Sequence, residues 1–248
     1  MNIPFRKIQL ISLLITLIFA GCEDDSPGVI SGDEPDTSVI RFRDGISPYP
    51  AYYGSRDAVI KNAPLESLRN LNWGAMEADT AGSTMINSGR YQKRLLIRMD
   101  ITGISGCEEV LEAELTLRVY PSPPDSVLFR MYRITPDDIP DYWAEGEGKG
   151  DYNMGVSWDY ATEAIPWDEP GGDYILPALD SVHIGADSTA TFNLPPSLVE
   201  EWISNPLDND GVIIKPDYFS DGYKIFYSRD HSRPELRPEL MIKYLGYG

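Results

Sequence analysis

Histidine and cysteine are nearly missing from this chain of 248 residues, which has two of each. His183 and His231 stand in separate segments without metal-ligand spacing, so a zinc centre of nitrogen and sulfur donors has nothing to be built from. No Gly-x-Ser-x-Gly turn is present, and Cys107 has no evident base beside it. The expectation is a protein that is not an enzyme. Acidic pairs such as Asp137-Asp138 and Asp168-Glu169 occur, but a glycosidase needs carboxylates about 5–9.5 Å apart across a cleft, which adjacency does not supply. Basic residues are also few: Lys and Arg number 21 against 39 Asp and Glu, for a net charge of -18. That balance excludes nucleic acid, whose binding rests on Lys and Arg neutralising phosphates. Long amphipathic helical patterns are missing too, and no internal repeat stands out.

Turn formers and alternation are plentiful. Gly 21 and Pro 20 are many for this length, and with so little helical periodicity they predict an all-β protein with many turns. The clearest stretch is Arg94 to Tyr120. Leu95, Ile97, Met99 and Ile101 alternate with Arg94, Arg98 and Asp100, and only Leu96 breaks the pattern. Leu111, Ala113, Leu115, Leu117 and Val119 alternate with Glu112, Glu114, Thr116 and Arg118. Successive side chains of a strand point to opposite faces, so each half buries one face. Thr102 to Val110, with Gly103 and Gly106, reads as a loop. An antiparallel hairpin is the first reading; strands in opposite sheets of a sandwich are the other. Val127 to Ile134 alternates as well and looks buried on both sides for part of its length.

The other elements follow from local pattern. Ile40 and Phe42 suggest a first strand and Tyr49 to Ile60 a turn and a second. Asn62 to Gly74 reads as a connection, Met76 to Asp79 as a short strand and Ala81 to Gly89 as a loop. Pro195 to Ile203, with Leu198, Val199, Trp202 and Ile203 on one face, is the one helix expected, stopped by Asn205-Pro206. Strands at Val212-Ile213-Ile214, Tyr223 to Ser228 and Leu240 to Leu245 complete the set. The fold class predicted is all-β: a single antiparallel β-sandwich, jelly-roll-like, with one short helix, spanning residues 38–248.

The first residues are outside that fold. Arg6 and Lys7 precede an apolar run, Ile8 to Phe19, too short for a comfortable transmembrane helix and ending in small residues. Phe19-Ala20-Gly21-Cys22 resembles a bacterial lipobox, although Phe19 stands where Leu is usual. The resemblance implies a signal peptide over residues 1–21 and acylation of Cys22, by a palmitate-type chain on its sulfur and another on its new amino group. Such chains hold a protein on a membrane surface, here the bacterial outer membrane or cell surface. Cleavage near this point without lipidation is the other reading. Losing Arg6 and Lys7 takes the net charge from -18 to -20. Residues 22–37, acidic and rich in Ser, Gly and Pro, read as a flexible tether. An acylated Cys22 leaves Cys107 alone, without a disulfide partner.

The order of motifs from about residue 48 to 244 resembles the DNRLRE domain family, extracellular β-sandwich domains classed with carbohydrate-binding modules. The pieces are Tyr52-Tyr53-Gly54-Ser55-Arg56-Asp57 before a strand, Asn72-Trp73-Gly74, the stretch Arg94 to Ile104, and the strand Glu112 to Tyr120. They continue with Met131 to Ile134, Trp143 with Glu145, Val156-Ser157-Trp158, Trp167, Gly171-Gly172-Asp173, and Phe192 to Trp202. Asn205-Pro206, Asn209 and Gly211 follow, and the closing segment is Ser228 to Tyr244. Departures are an insertion at Leu65 to Leu71, Met99 in place of Phe, Asp230 in place of Glu, and a longer Gly146 to Met154. The resemblance implies carbohydrate binding without catalysis.

Sugar binding needs aromatic faces and fixed polar groups at a concave site. Trp73, Trp143, Trp158 and Trp167 are candidates, with Tyr142, Tyr152 and Tyr160. Trp143, Trp167, Tyr142 and Trp73 are the favoured contacts, Trp143 and Trp167 because they flank the lengthened segment. Core filling is the other reading for each Trp, and Trp202 belongs to the core. A neutral glycan fits the acidic chain better than a polyanion, unless Lys and Arg cluster locally. For calcium, Asp57, Asp208 and Asp210 with Asn209 have suitable oxygen donors; a plain turn is the other reading of the last three. The partner expected is a glycan or a cell-surface protein, with the membrane reached through the lipid anchor. The alternative function is a structural or adhesive subunit of a surface assembly.

Overall fold

The computed structural model describes residues 36–87, 89–121, 125–135, 143–152, 155–186 and 189–247. Cys22, the expected signal peptide and nearly all of the expected tether lie outside them, as does Tyr142. In chain order the elements are β1 (Asp36–Phe42), β2 (Ser55–Lys61), α1 (Glu66–Arg69), β3 (Ala78–Ile86), β4 (Gly89–Met99), β5 (Cys107–Arg118) and β6 (Val127–Arg133). Then come β7 (Asp180–Ile184), β8 (Thr189–Asn193), α2 (Pro196–Ser204), β9 (Val212–Pro216), β10 (Gly222–Tyr227) and β11 (Glu239–Gly246).

Two antiparallel sheets pack as a sandwich. The smaller has the order β1-β11-β5-β8; the larger runs β10-β3-β4-β9-β6-β7, with β2 also paired to β4. The two halves of the Arg94 to Tyr120 stretch are therefore not a hairpin: β4 and β5 belong to opposite sheets. Ile101 and Ile104, in the connection between them, are buried in the core that the sheets share. Cys107, expected in the loop, is the first residue of β5, opposite Gly246. At the other end of β5, Val119 bridges Phe226, and Tyr120 N–H donates to Ile225 C=O at 2.8 Å, which ties the sheets together along one side.

The larger sheet is covered on both faces. Its inner face places Val59, Leu95, Ile97, Met99, Phe129, Met131, Val212 and Ile214 against Leu115, Leu117, Phe192 and Ile242 of the smaller sheet. Its outer face buries Ala58, Ile60, Leu96, Tyr132 and Ile213 under Trp143, Val156, Trp158, Ala161 and Trp167. Leu96 interrupts the alternation because its face has its own apolar cover. Sheets with both faces covered lose the clean in–out pattern of half-exposed strands.

Among the described residues there are two α-helices, where one was expected. α2 fits its forecast within a residue at each end, beginning at a Pro in the first turn and burying Leu198, Val199 and Trp202. α1 is a single turn inside the 62–74 connection with no buried residue, so it has no apolar face by which to announce itself. β3 also corrects the forecast: Ala81 to Ile86 is strand, hairpin-paired to β4 through Asn87, which takes φ 48°.

Candidate metal centre and ligand pocket

Three carboxylates from distant segments meet at one end of the larger sheet. Asp57 lies on β2, Glu145 follows Trp143 in the segment covering the outer face, and Asp230 sits in the turn after β10. One oxygen from each lies within 4.8 Å of the others. Hydrogen bonds hold them there. Asp57 N–H donates to Glu145 Oε1 at 2.9 Å, and Arg229 N–H donates to Asp57 Oδ2 at 2.7 Å. The Arg229 guanidinium donates to Ser55 C=O at 2.6 Å and to Glu145 Oε2 at 2.9 Å, with Asp44 Oδ2 3.3 Å from its Nε. Asp44 Oδ1 in turn accepts from the N–H and Oγ of Ser55 at 3.0 and 2.8 Å.

The electrostatics are strained. Asp57 and Asp79 are each 2% exposed, and Asp57 Oδ1 and Asp79 Oδ2 accept no hydrogen bond. Burial pushes the Asp57 carboxyl well above the usual carboxylate range, with Asp79 and Glu145 adding to it. Burial does the same at Asp79, against the lowering effect of Lys61. Glu145 is pushed up to about 7 by burial, despite Arg229. Asp230 is raised as well, by burial first. A cation placed among these groups reverses that penalty. An all-oxygen donor set that includes the unmet buried acceptor Asp57 Oδ1 suits a hard ion such as calcium or magnesium. The cluster is thus able to coordinate a metal ion.

Asn72 holds the Glu145 segment in place. Fully buried, it donates from Nδ2 to Glu145 C=O at 2.7 Å and to Val156 C=O at 2.9 Å. Its Oδ1 accepts from Gly148 N–H at 2.7 Å and from Gly74 N–H at 3.3 Å. The chain closes so tightly round this amide that a Cβ on Gly146, which has φ +76°, would lie 2.6 Å from Asn72 Oδ1. Asn72-Trp73-Gly74 is therefore a clamp on the long segment.

Of the metal ligands expected from sequence, Asp57 is in the cluster and Asp208 and Asp210 are not part of it. Asp57 and Val212 both register with Ile97, from opposite edges of β4. The Asp208 to Gly211 turn therefore lies beyond a whole strand, about two 4.8 Å spacings away. Asp210 instead offers its carbonyl to Trp143 Nε1 at 2.9 Å. Glu145 and Asp230 escaped selection as ligands. Both belong to the motif order, Asp230 as a substitution for Glu, but no spacing in the sequence connects them to Asp57.

The favoured aromatics take different places. Trp143 is 1% and Trp167 4% exposed, and both fill the core on the outer face. The indole N–H of Trp167 donates to Ser157 C=O at 2.9 Å. Trp73 is half-buried, with the Lys61 ammonium 2.9 Å from its ring centroid. Burial first, then Lys93, brings Lys61 down to about 7. Tyr152 and Tyr160 border an open pocket of about 290 Å³ with Asn70, Ser157, Thr162 and Glu163. Tyr152 is largely exposed and donates its hydroxyl to Ser67 C=O at 2.9 Å. Two tyrosines, an amide, hydroxyls and a carboxylate line it, residue types that saccharide hydroxyls and C–H faces require. No helix among the described residues is long and apolar enough to cross a membrane. Neither the scan against protein-family models nor the search of curated proteins finds a match to this chain.

Proposed function

We propose that this chain is a lipid-anchored protein of the bacterial outer membrane or cell surface, with a non-catalytic, carbohydrate-binding domain of the DNRLRE, jelly-roll-like kind. The observation that carries the reading is the Tyr152–Tyr160 pocket, an open hollow lined by two tyrosines together with an amide, hydroxyls and a carboxylate. Its ligand is a neutral saccharide, stacked on a tyrosine face and hydrogen-bonded by Asn70, Ser157, Thr162 and Glu163. A structural calcium ion at Asp57, Glu145 and Asp230 joins β2, the segment between Trp143 and Trp167 and the turn after β10, and so braces the part of the chain that carries Tyr152 and Tyr160. Both halves of the proposal are tested by a glycan array on residues 23–248 with and without calcium. Binding to neutral glycans, strengthened by calcium, supports them; silence toward every saccharide in both conditions rejects the glycan reading.

One observation favours the second reading, an adhesive or structural subunit. Tyr218 and Phe219 stack edge-on with centroids 5.2 Å apart, and Phe219 is 87% exposed. Exposed aromatics of this kind suit a protein docking face. Co-purification of one protein that is lost on Phe219→Ser, with a silent array, selects that reading.

A further inference from the structure

On the outer face of the larger sheet, where the Trp-rich cover ends, a second hollow of about 280 Å³ opens between Arg90, Gln92, Arg94, Trp158, Lys215 and Tyr218. In a chain of net charge -18 it is lined by cations. Arg90 is neutralised by Asp221 at 3.0 Å, and the nearby Asp217 is taken by Arg130 at 2.6 Å. Arg94 and Lys215 are different: among the described residues neither is paired with a carboxylate. Arg94 Nη1 donates to Gly171 C=O at 2.5 Å and Nη2 to Gln92 Oε1 at 3.1 Å, while Nε has no acceptor. Lys215 Nζ donates to the Tyr174 hydroxyl at 2.5 Å and lies 4.2 Å from that ring's centroid. The guanidinium is stacked 4.6 Å from the centroid of Trp158.

Each cation is thus hydrogen-bonded only to neutral groups and lies beside aromatic rings; the Asp217 carboxylate, bonded to Arg130, acts on Lys215 only through space. Burial, and Arg94 beside it, push the Lys215 ammonium down; burial lowers Arg94 likewise. Two desolvated like charges sharing a hollow are an uncompensated cost unless something negative joins them. Each η-nitrogen of Arg94 and the ammonium of Lys215 retain protons beyond those already donated. The stacking holds the guanidinium plane fixed, as recognition of a planar or tetrahedral oxyanion requires.

We propose that the Arg94–Lys215 hollow binds one oxyanion group, a carboxylate or a sulfate, carried on a sugar-sized ligand. Arg94 and Lys215 take the charge, Gln92 and Asn62 at the rim supply amides, and the exposed Tyr218 offers a ring face. The Tyr152–Tyr160 pocket shares no lining residue with this hollow, so the proposal stands whether or not a neutral glycan binds there.

The test is calorimetric titration of the full chain in detergent with glucuronate, glucose 6-sulfate and glucose, with chloride holding ionic strength constant. At least one charged sugar binds saturably and glucose does not; the one that binds identifies carboxylate or sulfate as the preferred group. Lys215→Met weakens that binding by about tenfold or more, whereas Lys215→Arg stays within about threefold, because a charge-assisted bond is kept. An unchanged circular dichroism spectrum confirms that each variant is folded. Charged sugars that bind no better than glucose, or a Lys215→Met variant that binds them as the parent does, overturn the proposal.

Discussion

Asp57 and Glu145, 88 residues apart, are joined by a bond from the backbone N–H of one to a carboxylate oxygen of the other at 2.9 Å. The bond brings both carboxyl groups to the same small space, where Asp230 completes a trio. Without a cation the arrangement is costly, so the most direct consequence is a metal-dependent stability. Calcium is expected to raise the melting temperature progressively with the logarithm of its concentration, by an amount equivalent to about 2.7 kcal/mol at a hundred times its dissociation constant. Asp57→Asn should abolish the rise. In chelator the same variant should be at least as stable as the parent, because a neutral amide replaces a carboxyl whose ionisation burial and the neighbouring acids oppose. A calcium response that survives Asp57→Asn places the ion elsewhere.

The same carboxylates set a pH dependence. Glu145 holds its proton to about 7 when folded, against 4.5 unfolded. Between those values the folded state binds more protons than the unfolded state, so stability falls as pH rises through the window. Asp57 and Asp79 act in the same direction. In chelator, melting temperature should decline from pH 5 to pH 8; with saturating calcium, which holds the carboxylates ionised, the decline should flatten. Parallel profiles with and without calcium contradict this.

Trp143 and Tyr152 should separate core from surface. Trp143 is buried with its N–H satisfied by Asp210 C=O. Trp143→Ala is expected to cost about 3–5 kcal/mol in chemical denaturation, the range for removing a large buried aromatic. Tyr152→Ala, at a largely exposed site, should stay within about 1 kcal/mol. A mild Trp143→Ala variant means that the outer-face core is not what braces the long segment.

Much of the sandwich is legible in the sequence because its strands keep one exposed or polar face. β5 is the clearest case, with Ala113, Leu115 and Leu117 inward and Glu112, Glu114 and Thr116 outward. What the pattern leaves open is which sheet a strand joins, since β4 and β5 read equally well as a hairpin. The outer-face core is illegible for a different reason. Trp143, Val156, Trp158 and Trp167 come from irregular chain, where no period of two or 3.6 distinguishes a buried side chain from an exposed one. Flanking glycines made that segment resemble a surface loop; in the fold Gly146 and Gly148 crowd Asn72 instead. Asp57 was recognisable by its place before a strand, but Glu145 and Asp230 meet it only through tertiary pairing.

The lipobox resemblance predicts that Cys22→Ala blocks processing or releases the protein from membranes. Mass spectrometry and detergent-phase partitioning check it. A variant with the parent's mass and partitioning contradicts lipidation at Cys22.

The central claim, that the domain binds carbohydrate, is tested most directly by titrating residues 23–248 with the best neutral glycan from an array, alongside Tyr152→Ala and Tyr160→Ala. The account predicts saturable binding in calcium, weakened by about 1–3 kcal/mol in either variant, the scale of a stacking aromatic, with melting temperatures little changed. No neutral glycan bound, or binding that both variants retain in full, contradicts it.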